Sequence, residues 1–449
     1  MGDTILVDFH GPGAGVGELT WGQRTVWRAI ALTGQSETMG GIVELPPGIT
    51  VEHTTRVLRY VMGRHQSLRT LLRFDAPDGG PRQEVFASGT IGLEVVDAGD
   101  RDPAAVAVEL RKRYEATGFD SAKEWPVRMG VVVVDGTPTH SVAVYNHLAL
   151  DAHGMEALIA DLATMDPETG AATVPLTAVQ PLELARQQQR PHVRRNSASA
   201  LDYWERVLRT VSPLRVEGTS DDPRSPRWGT VEFTSPAALL AGRAIAARLA
   251  TDTSPVLLAA FATALATTIG NNPVALQLAV GNRFRDAVRD SVCTMAQTCP
   301  LLIDLAGATF PEAVARARRA AVVTYKYAYY DPEQRAAMVA SVKEDLGVPV
   351  ELDCYFNDRR PPGRQERFAE VATPAEIEAA RALSTHEWTK WTDRPSPLLY
   401  LNIDEEPGAL RFGLAGDTHR ASPAALLGVL TEVESVLVAA ATDPGGAVA

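Results

Sequence analysis

Two hydrophobic periodicities alternate along the chain. The runs TILVDFH and GGIVELP read as strands, and QEVFA and GLEVV are short β runs. Val51, Val57, Leu58 and Val61 recur at helical spacing and predict a helix from Thr50 to His65. Pro103 to Thr117 reads as a second helix, with proline tolerated near its start. MGVVVVD and HSVAVYNH are apolar runs split by Gly-Thr-Pro, which predicts a hairpin. A loop, LALDAHG, and a helix from about Met155 to Met165 follow.

From Asp166 the pattern lapses. DPETGAATVPLTAVQP is rich in Pro, Thr and Gly, and RQQQRPHVRRN is basic and polar. This stretch, about 166–200, reads as a linker. Its basic run reads as a solvated face, with docking of an acidic partner as the alternative. The grammar then resumes with an amphipathic helix LDYWERVLR, a strand TVEFTSP, helices over Ala237 to Ala250 and Ser254 to Ile269, and a strand ALQLAVGNR running into a loop. The expectation is an α+β protein of two lobes, 1–175 and 201–449, joined by a linker at 176–200. Trp388 and Trp391 read as packing between the lobes, with lining a pocket as the alternative.

Composition narrows the function. The chain has 449 residues, 45% hydrophobic and 22% charged, which excludes a disordered or fibrous architecture. Its 43 Lys+Arg against 55 Asp+Glu leave a net charge of −12, contrary to the basic face a nucleic-acid binder needs. No apolar run approaches the ~20 residues that span a bilayer, and the N-terminus lacks the pattern of a secretory signal. Cys293, Cys299 and Cys354 are too few and scattered for a disulfide framework or a zinc site. Reduced thiols in the cytoplasm are expected.

The common catalytic signatures are missing. There is no GxxxxGK[ST], no GxSxG and no HExxH, and the Gly-rich GPGAGVG departs from GxGxxG at its third glycine. What stands out is Asn146-His147-Leu148-Ala149-Leu150-Asp151-Ala152-His153-Gly154, between a strongly apolar strand and a helix. Imidazole is the side chain whose ordinary pKa suits proton transfer near neutrality. Asp151 is placed to orient the ring or to be held by a cation. On spacing alone, a structural His–Asp pair is the commoner reading. Metal binding by His147, Asp151 and His153 lacks a further ligand cluster.

Several segments, in order, resemble the condensation-domain superfamily of nonribosomal peptide synthetases. NHLALDA is similar to its HHxxxDG motif. Leu19-Thr20-Trp21-Gly22-Gln23-Arg24-Thr25-Val26-Trp27 resembles LSxAQxRLW, and Arg64-His65-Gln66-Ser67-Leu68-Arg69-Thr70 resembles RHxxLRT. Phe119-Asp120 with Trp125-Pro126-Val127-Arg128 looks like FD…PPLR, and Tyr203-Trp204 like the YW that opens the second lobe. Gly281-Asn282-Arg283 followed by Val292 to Pro300 resembles an NR or GR pair leading to VGxFVNTLP.

The resemblance implies two chloramphenicol acetyltransferase-like lobes in a V-shaped pseudo-dimer, with a tunnel between them and the motif loop near its middle. It implies transfer of an acyl, aminoacyl or peptidyl group from a carrier protein's phosphopantetheine thioester to an amine or alcohol. No bound cofactor is implied beyond that arm as substrate carrier. His147 matches the functionally important histidine. Asp151 matches the motif aspartate and Arg283 the arginine that pairs with it. Asn146 and Ala152 replace the motif's first His and its Gly, and Ala152 is expected to restrict the backbone or narrow the tunnel. VCTMAQTCP replaces VGxFVNTLP. His153, Trp21 and Gln297 are candidates for the tunnel lining.

Carrier and adenylation segments are missing from the 449 residues, so a free-standing, monomeric condensation enzyme in antibiotic-type biosynthesis is expected. Its partners would be an acyl or peptidyl carrier protein and a small amine or alcohol. Two alternatives stand beside it: a non-catalytic module recruiting a tailoring enzyme to a carrier-bound peptide, and an acyltransferase using a coenzyme A thioester.

Overall fold

The alternating periodicities resolve into two α+β units. The computed structural model describes residues 2–76, 79–210, 220–270, 272–348, 350, 352–360 and 371–443. One unit comprises Met1–Arg195 with Gly281–Gln297, the other Asn196–Val280 with Thr298–Ala449.

The first unit contains, in order, β1 (Asp3–His10), β2 (Gly15–Glu18), α1 (Trp21–Thr33), β3 (Thr38–Glu44), α2 (Val51–Arg64), β4 (Thr70–Arg73), β5 (Arg82–Val85), β6 (Ser88–Asp97), α3 (Pro103–Ala116), β7 (Val127–Val134), β8 (Thr137–Asn146) and α4 (Ala152–Leu162). A five-stranded sheet runs β1-β6-β7-β8-β3. Only β6 and β7 are parallel, with α3 as their crossover. On one face, Val7, Phe9, Leu93 and Met129 pack with Leu58 and Met62 of α2 and Leu158 of α4. On the other, Val132, Val142 and Val144 pack with Val106, Ala107 and Leu110 of α3. Both faces are covered, which is why VVVV in β7 is a continuous apolar run. The predicted hairpin is β7–β8, and its second strand lies between β7 and β3. A smaller sheet runs β2-β5-β4.

The expected linker is instead helical. α5 (Pro181–Gln188) and α6 (Pro191–Thr210) occupy most of 176–200. Both prolines sit at the first helical position, where their missing N–H costs nothing, so they open helices rather than break them. Leu182, Leu184, Val193 and Ala200 are buried, and of the polar run RQQQR Arg186, Gln189 and Arg190 are left exposed while Gln188 turns inward.

The second unit contains β9 (Trp228–Ser235), α7 (Pro236–Arg248), α8 (Thr253–Ile269) and β10 (Val274–Val280). The chain then contributes Gly281–Gln297, including the short α9 (Asp286–Arg289), to the first unit. It returns through β11 (Gln297–Ile303), α10 (Phe310–Tyr327), α11 (Pro332–Leu346), β12 (Cys354–Asp358), α12 (Pro374–Ala380), β13 (Thr385–Thr392), β14 (Leu399–Glu406), β15 (Ala409–Asp417) and α13 (Pro423–Thr442). The seven-stranded sheet runs β11-β10-β12-β14-β15-β9-β13. The units are therefore not the contiguous lobes 1–175 and 201–449. Val292 explains the excursion physically, because it is buried in the first unit's core with Leu150 and Leu158.

One further expectation changes. α13 is long and apolar enough to cross a membrane by length and composition, contrary to the sequence reading. It is a core helix here: Leu426, Val429, Leu430, Val433 and Leu437 are buried, and Glu434 accepts a 2.6 Å hydrogen bond from the Ser235 hydroxyl. Trp388 and Trp391 stack at 4.9 Å on the edge strand β13, over Gly229 of the adjacent β9.

Candidate functional site

β8 is an interior strand, so the turn that follows it, 147–150, starts from a rigid position. Asn146 ends the strand and is buried. Its side-chain oxygen accepts from the Leu148 N–H at 3.0 Å, and its amide nitrogen donates to the Ser121 hydroxyl at 3.3 Å. In this chain the residue replacing the motif's first histidine shapes the turn.

His147 is half-buried and held at three points. Its backbone N–H donates to the Glu37 carbonyl at 2.9 Å. Its carbonyl accepts from the Thr294 hydroxyl. Its Nδ1 lies 3.0 Å from the Leu150 carbonyl. A carbonyl oxygen only accepts, so the neutral ring carries its proton on Nδ1 and keeps the Nε2 lone pair available. That is the tautomer of a base.

Asp151 caps α4, accepting from the Gly154 N–H at 2.8 Å. The helix therefore begins at Ala152, three residues before the predicted Met155. The same carboxylate accepts from the backbone N–H groups of Met295 at 2.8 Å and Ala296 at 2.9 Å. Arg283 meets it with both terminal nitrogens, Nη1 to Oδ2 at 2.9 Å and Nη2 to Oδ1 at 2.8 Å. Burial opposes ionisation of Asp151. The Arg283 charge and these hydrogen bonds outweigh it and hold the carboxyl below the usual carboxylate range. Arg283 also donates to the carbonyls of Gly281 at 3.1 Å and Cys293 at 2.6 Å. One ion pair thus fastens the Gly281–Gln297 excursion to the start of α4.

Ala152 is the first residue of α4 and half-buried. It is not among the residues with positive φ, so its methyl imposes no backbone strain. The position with no room is Gly154, where a Cβ would stand 2.8 Å from the Cys293 carbonyl oxygen and 3.3 Å from Arg283 Nη2. The His153 ring lies against Gly281, where a Cβ would come within 2.9 Å of its Cε1 and Nδ1. Trp21 and Gln297 do not fit a channel lining, being only 1% and 2% exposed. The Trp21 backbone N–H donates to Gln188 Oε1 at 3.0 Å, and Gln297 Nε2 reaches the Thr25 hydroxyl at 3.4 Å.

Burial pushes the Cys293 thiol up to about 12, so it offers no thiolate nucleophile. Among the described residues, no group of three or more His, Cys, Asp or Glu side chains converges to hold a metal ion. The sequence reading missed Glu37, Leu150 and Thr294. Two act through backbone carbonyls, which leave no mark on a sequence, and Thr294 stands at the variable position of VGxFVNTLP.

The family profile described as Condensation domain matches residues 16–342. An isonitrile lipopeptide synthase of Mycobacterium tuberculosis is 27% identical over 328 residues, covering 69% of this chain and 13% of that protein. The chain spans only a small part of that relative's length. The SgcC5 protein from Streptomyces globisporus has a similar solved structure, with a TM-score of 0.70 and 20% identity over 95% of this chain and 98% of that one. The X-domain from teicoplanin biosynthesis is similar at a TM-score of 0.70 and 18% identity, with 96% of each chain covered. That X-domain has also been solved in complex with OxyB.

Proposed function

This chain belongs to the condensation-domain family, and from that premise and the surroundings of His147 we propose that it is an acyltransferase. It moves an acyl, aminoacyl or peptidyl group from a carrier-protein phosphopantetheine thioester to an amine or alcohol. The observation that carries the reading is the Nδ1–Leu150 hydrogen bond, which leaves Nε2 as an acceptor.

In the step, the acceptor's nitrogen or oxygen bonds to the thioester carbonyl carbon as Nε2 takes its proton. The tetrahedral intermediate then breaks its C–S bond. The imidazolium returns the proton to the departing thiolate, giving amide or ester and free thiol. The role of Asp151 and Arg283 is structural support: they hold α4 and the excursion that flanks the histidine.

A second reading is a non-catalytic module recruiting a tailoring enzyme to a carrier-bound peptide. It is favoured by Asn146, committed to Ser121 and Leu148, and by the likeness to an X-domain solved with OxyB.

Thiol release from acyl-pantetheine, acyl-carrier-protein and acyl-coenzyme A thioesters, offered with a panel of amines and alcohols, tests these readings. The acyltransferase reading expects turnover that His147→Ala reduces about 10²–10⁴-fold, the worth of a positioned general base, with melting temperature unchanged. Turnover retained in folded His147→Ala would overturn the assigned role. Turnover with acyl-coenzyme A but not acyl-carrier protein would replace the donor. No turnover with any of the three thioesters would favour the recruiting module.

A further inference from the structure

The geometry points to Thr294 as a positioning residue that sets the tautomer of His147 from the Gly281–Gln297 excursion. This inference rests on the proposed role of His147 and adds a residue that neither the motif nor the ion pair supplies.

Thr294 is 1% exposed. A buried site of that size filled only for packing suits valine, which matches threonine in shape and carries no polar atom to desolvate. Here the hydroxyl is used: it donates to the His147 carbonyl. Among the described residues no other donor reaches that carbonyl. The opposite side of the His147 backbone is held by the Glu37 carbonyl. The peptide is thus pinned between β3's approach and the excursion.

Thr294 is itself held in place. The Asp151 carboxylate accepts from the next two amides, Met295 and Ala296. The Asn282 side-chain amide donates to the Met295 carbonyl at 3.1 Å. On the far side Gly22 of α1 presses on Thr294, and a Cβ there would stand 2.2 Å from its carbonyl oxygen. A residue gripped in this way is a fixed donor.

The link to the imidazole is short. The ring's anchor, the Leu150 carbonyl, is three residues on in the same turn. The direction of the His147 carbonyl sets the plane of the 147–148 peptide, and with it where the ring meets Leu150. Without the Thr294 hydroxyl the part-buried His147 carbonyl loses its donor, and the 147–148 peptide, then held only by the Leu148 N–H bond to Asn146 Oδ1, turns to find another. The ring then leaves Leu150, and nothing keeps the proton on Nδ1.

The test needs no substrate. Histidine labelled with ¹³C and ¹⁵N in the ring is incorporated into the full chain, and the His147 signals are assigned by their loss in His147→Gln. The wild type is expected to show a single Nδ1–H tautomer in the neutral ring. Thr294→Val is expected to lose that signature and drift to the mixed tautomers of a free ring, while Thr294→Ser keeps it. Thr294→Ala makes the same comparison if Thr294→Val fails to fold. An unchanged Nδ1–H signature in folded Thr294→Val or Thr294→Ala overturns the inference. Its loss in Thr294→Ser as well overturns it too, because packing rather than the hydroxyl would then matter. Full turnover in His147→Ala would strike the catalytic reading instead, and these spectra are independent of that result.

Discussion

Asp151 is where one side chain does three structural jobs: it caps α4, receives two successive amides of the excursion and neutralises a guanidinium whose side chain is 6% exposed. Removing it leaves Arg283 buried without its counter-charge, a change that costs about 3–5 kcal/mol. Asp151→Ala is therefore expected to be that much less stable than wild type in urea unfolding at pH 7. The sign with pH follows from the lowered carboxyl pKa. An unfolded Asp titrates at about 3.9, so the stabilisation is fully present above that value and is lost as pH falls through the lower folded value. The gap between wild type and Asp151→Ala should narrow below about pH 4, and a gap constant down to pH 2 would contradict the ion-pair account. At this scale the sequence was informative where chemistry resides in side chains. His147, Asp151 and Arg283 were named from it, and Asp151 and Arg283 meet across 132 residues. It misplaced the backbone constraint expected at Ala152, because the close approach lies two residues on, at Gly154, and depends on a carbonyl from a distant segment.

α4 is fastened at both ends. At its start Asp151 ties it to the excursion, and near its end Asp161 ties it to α2. Asp161 accepts from Arg64 Nε at 2.7 Å and Nη2 at 2.9 Å, and lies 3.0 Å from Nε2 of the fully buried His65. Burial opposes ionisation of Asp161, but these partners prevail and hold its carboxyl well below the usual range. Asp161→Ala strands the Arg64 guanidinium, 10% exposed, and is expected to cost about 3 kcal/mol. The prediction distinguishes the two ends of the helix. In protein still folded at low temperature, Asp161→Ala should leave the His147 tautomer unchanged, because its partners lie on α2 and at His65 just after it rather than in the 147–150 turn. Loss of the Nδ1–H signature in that variant would show that the histidine depends on the whole helix. Arg64 and His65 were visible in the sequence as part of a motif, but their partner was not, because Asp161 sits in a helix with nothing unusual around it. α5 and the first half of α6 were illegible for another reason: their polar faces dominate the composition, and two initiating prolines look like breaks, whereas the second half of α6, LDYWERVLR, was read as a helix.

At the scale of the molecule, the first unit is completed by residues far along the chain. Periodicity along a sequence reveals elements, but not that a loop between β10 and β11 has been lent to another core. The excursion supplies Val292 to the cluster of Leu150 and Leu158, and Val288, Cys293 and Met295 to a cluster with Leu184 of α5. Burying a side chain such as Val292 is worth roughly 1.5–3 kcal/mol. The excursion also carries Arg283 to Asp151, and the Ser291 hydroxyl to the Val179 carbonyl at 2.8 Å. A domain's stability is about 5–15 kcal/mol, so the loss of these contacts together is comparable to the whole. A fragment of residues 1–195 is accordingly expected to lack a cooperative unfolding transition, despite holding every strand of the five-stranded sheet. Joining residues 281–297 to it through a flexible Gly/Ser linker should restore one. Urea titrations followed by circular dichroism decide the matter. If the 1–195 fragment unfolds cooperatively with the same midpoint as the linked form, the excursion is an accessory to the first unit, and Thr294 would hold the histidine from a segment the fold does not need. If only the linked form does, the chain has placed part of the histidine's support where it forms after the second unit's β10 has been made, and the site is assembled only when both stretches of the sequence are present.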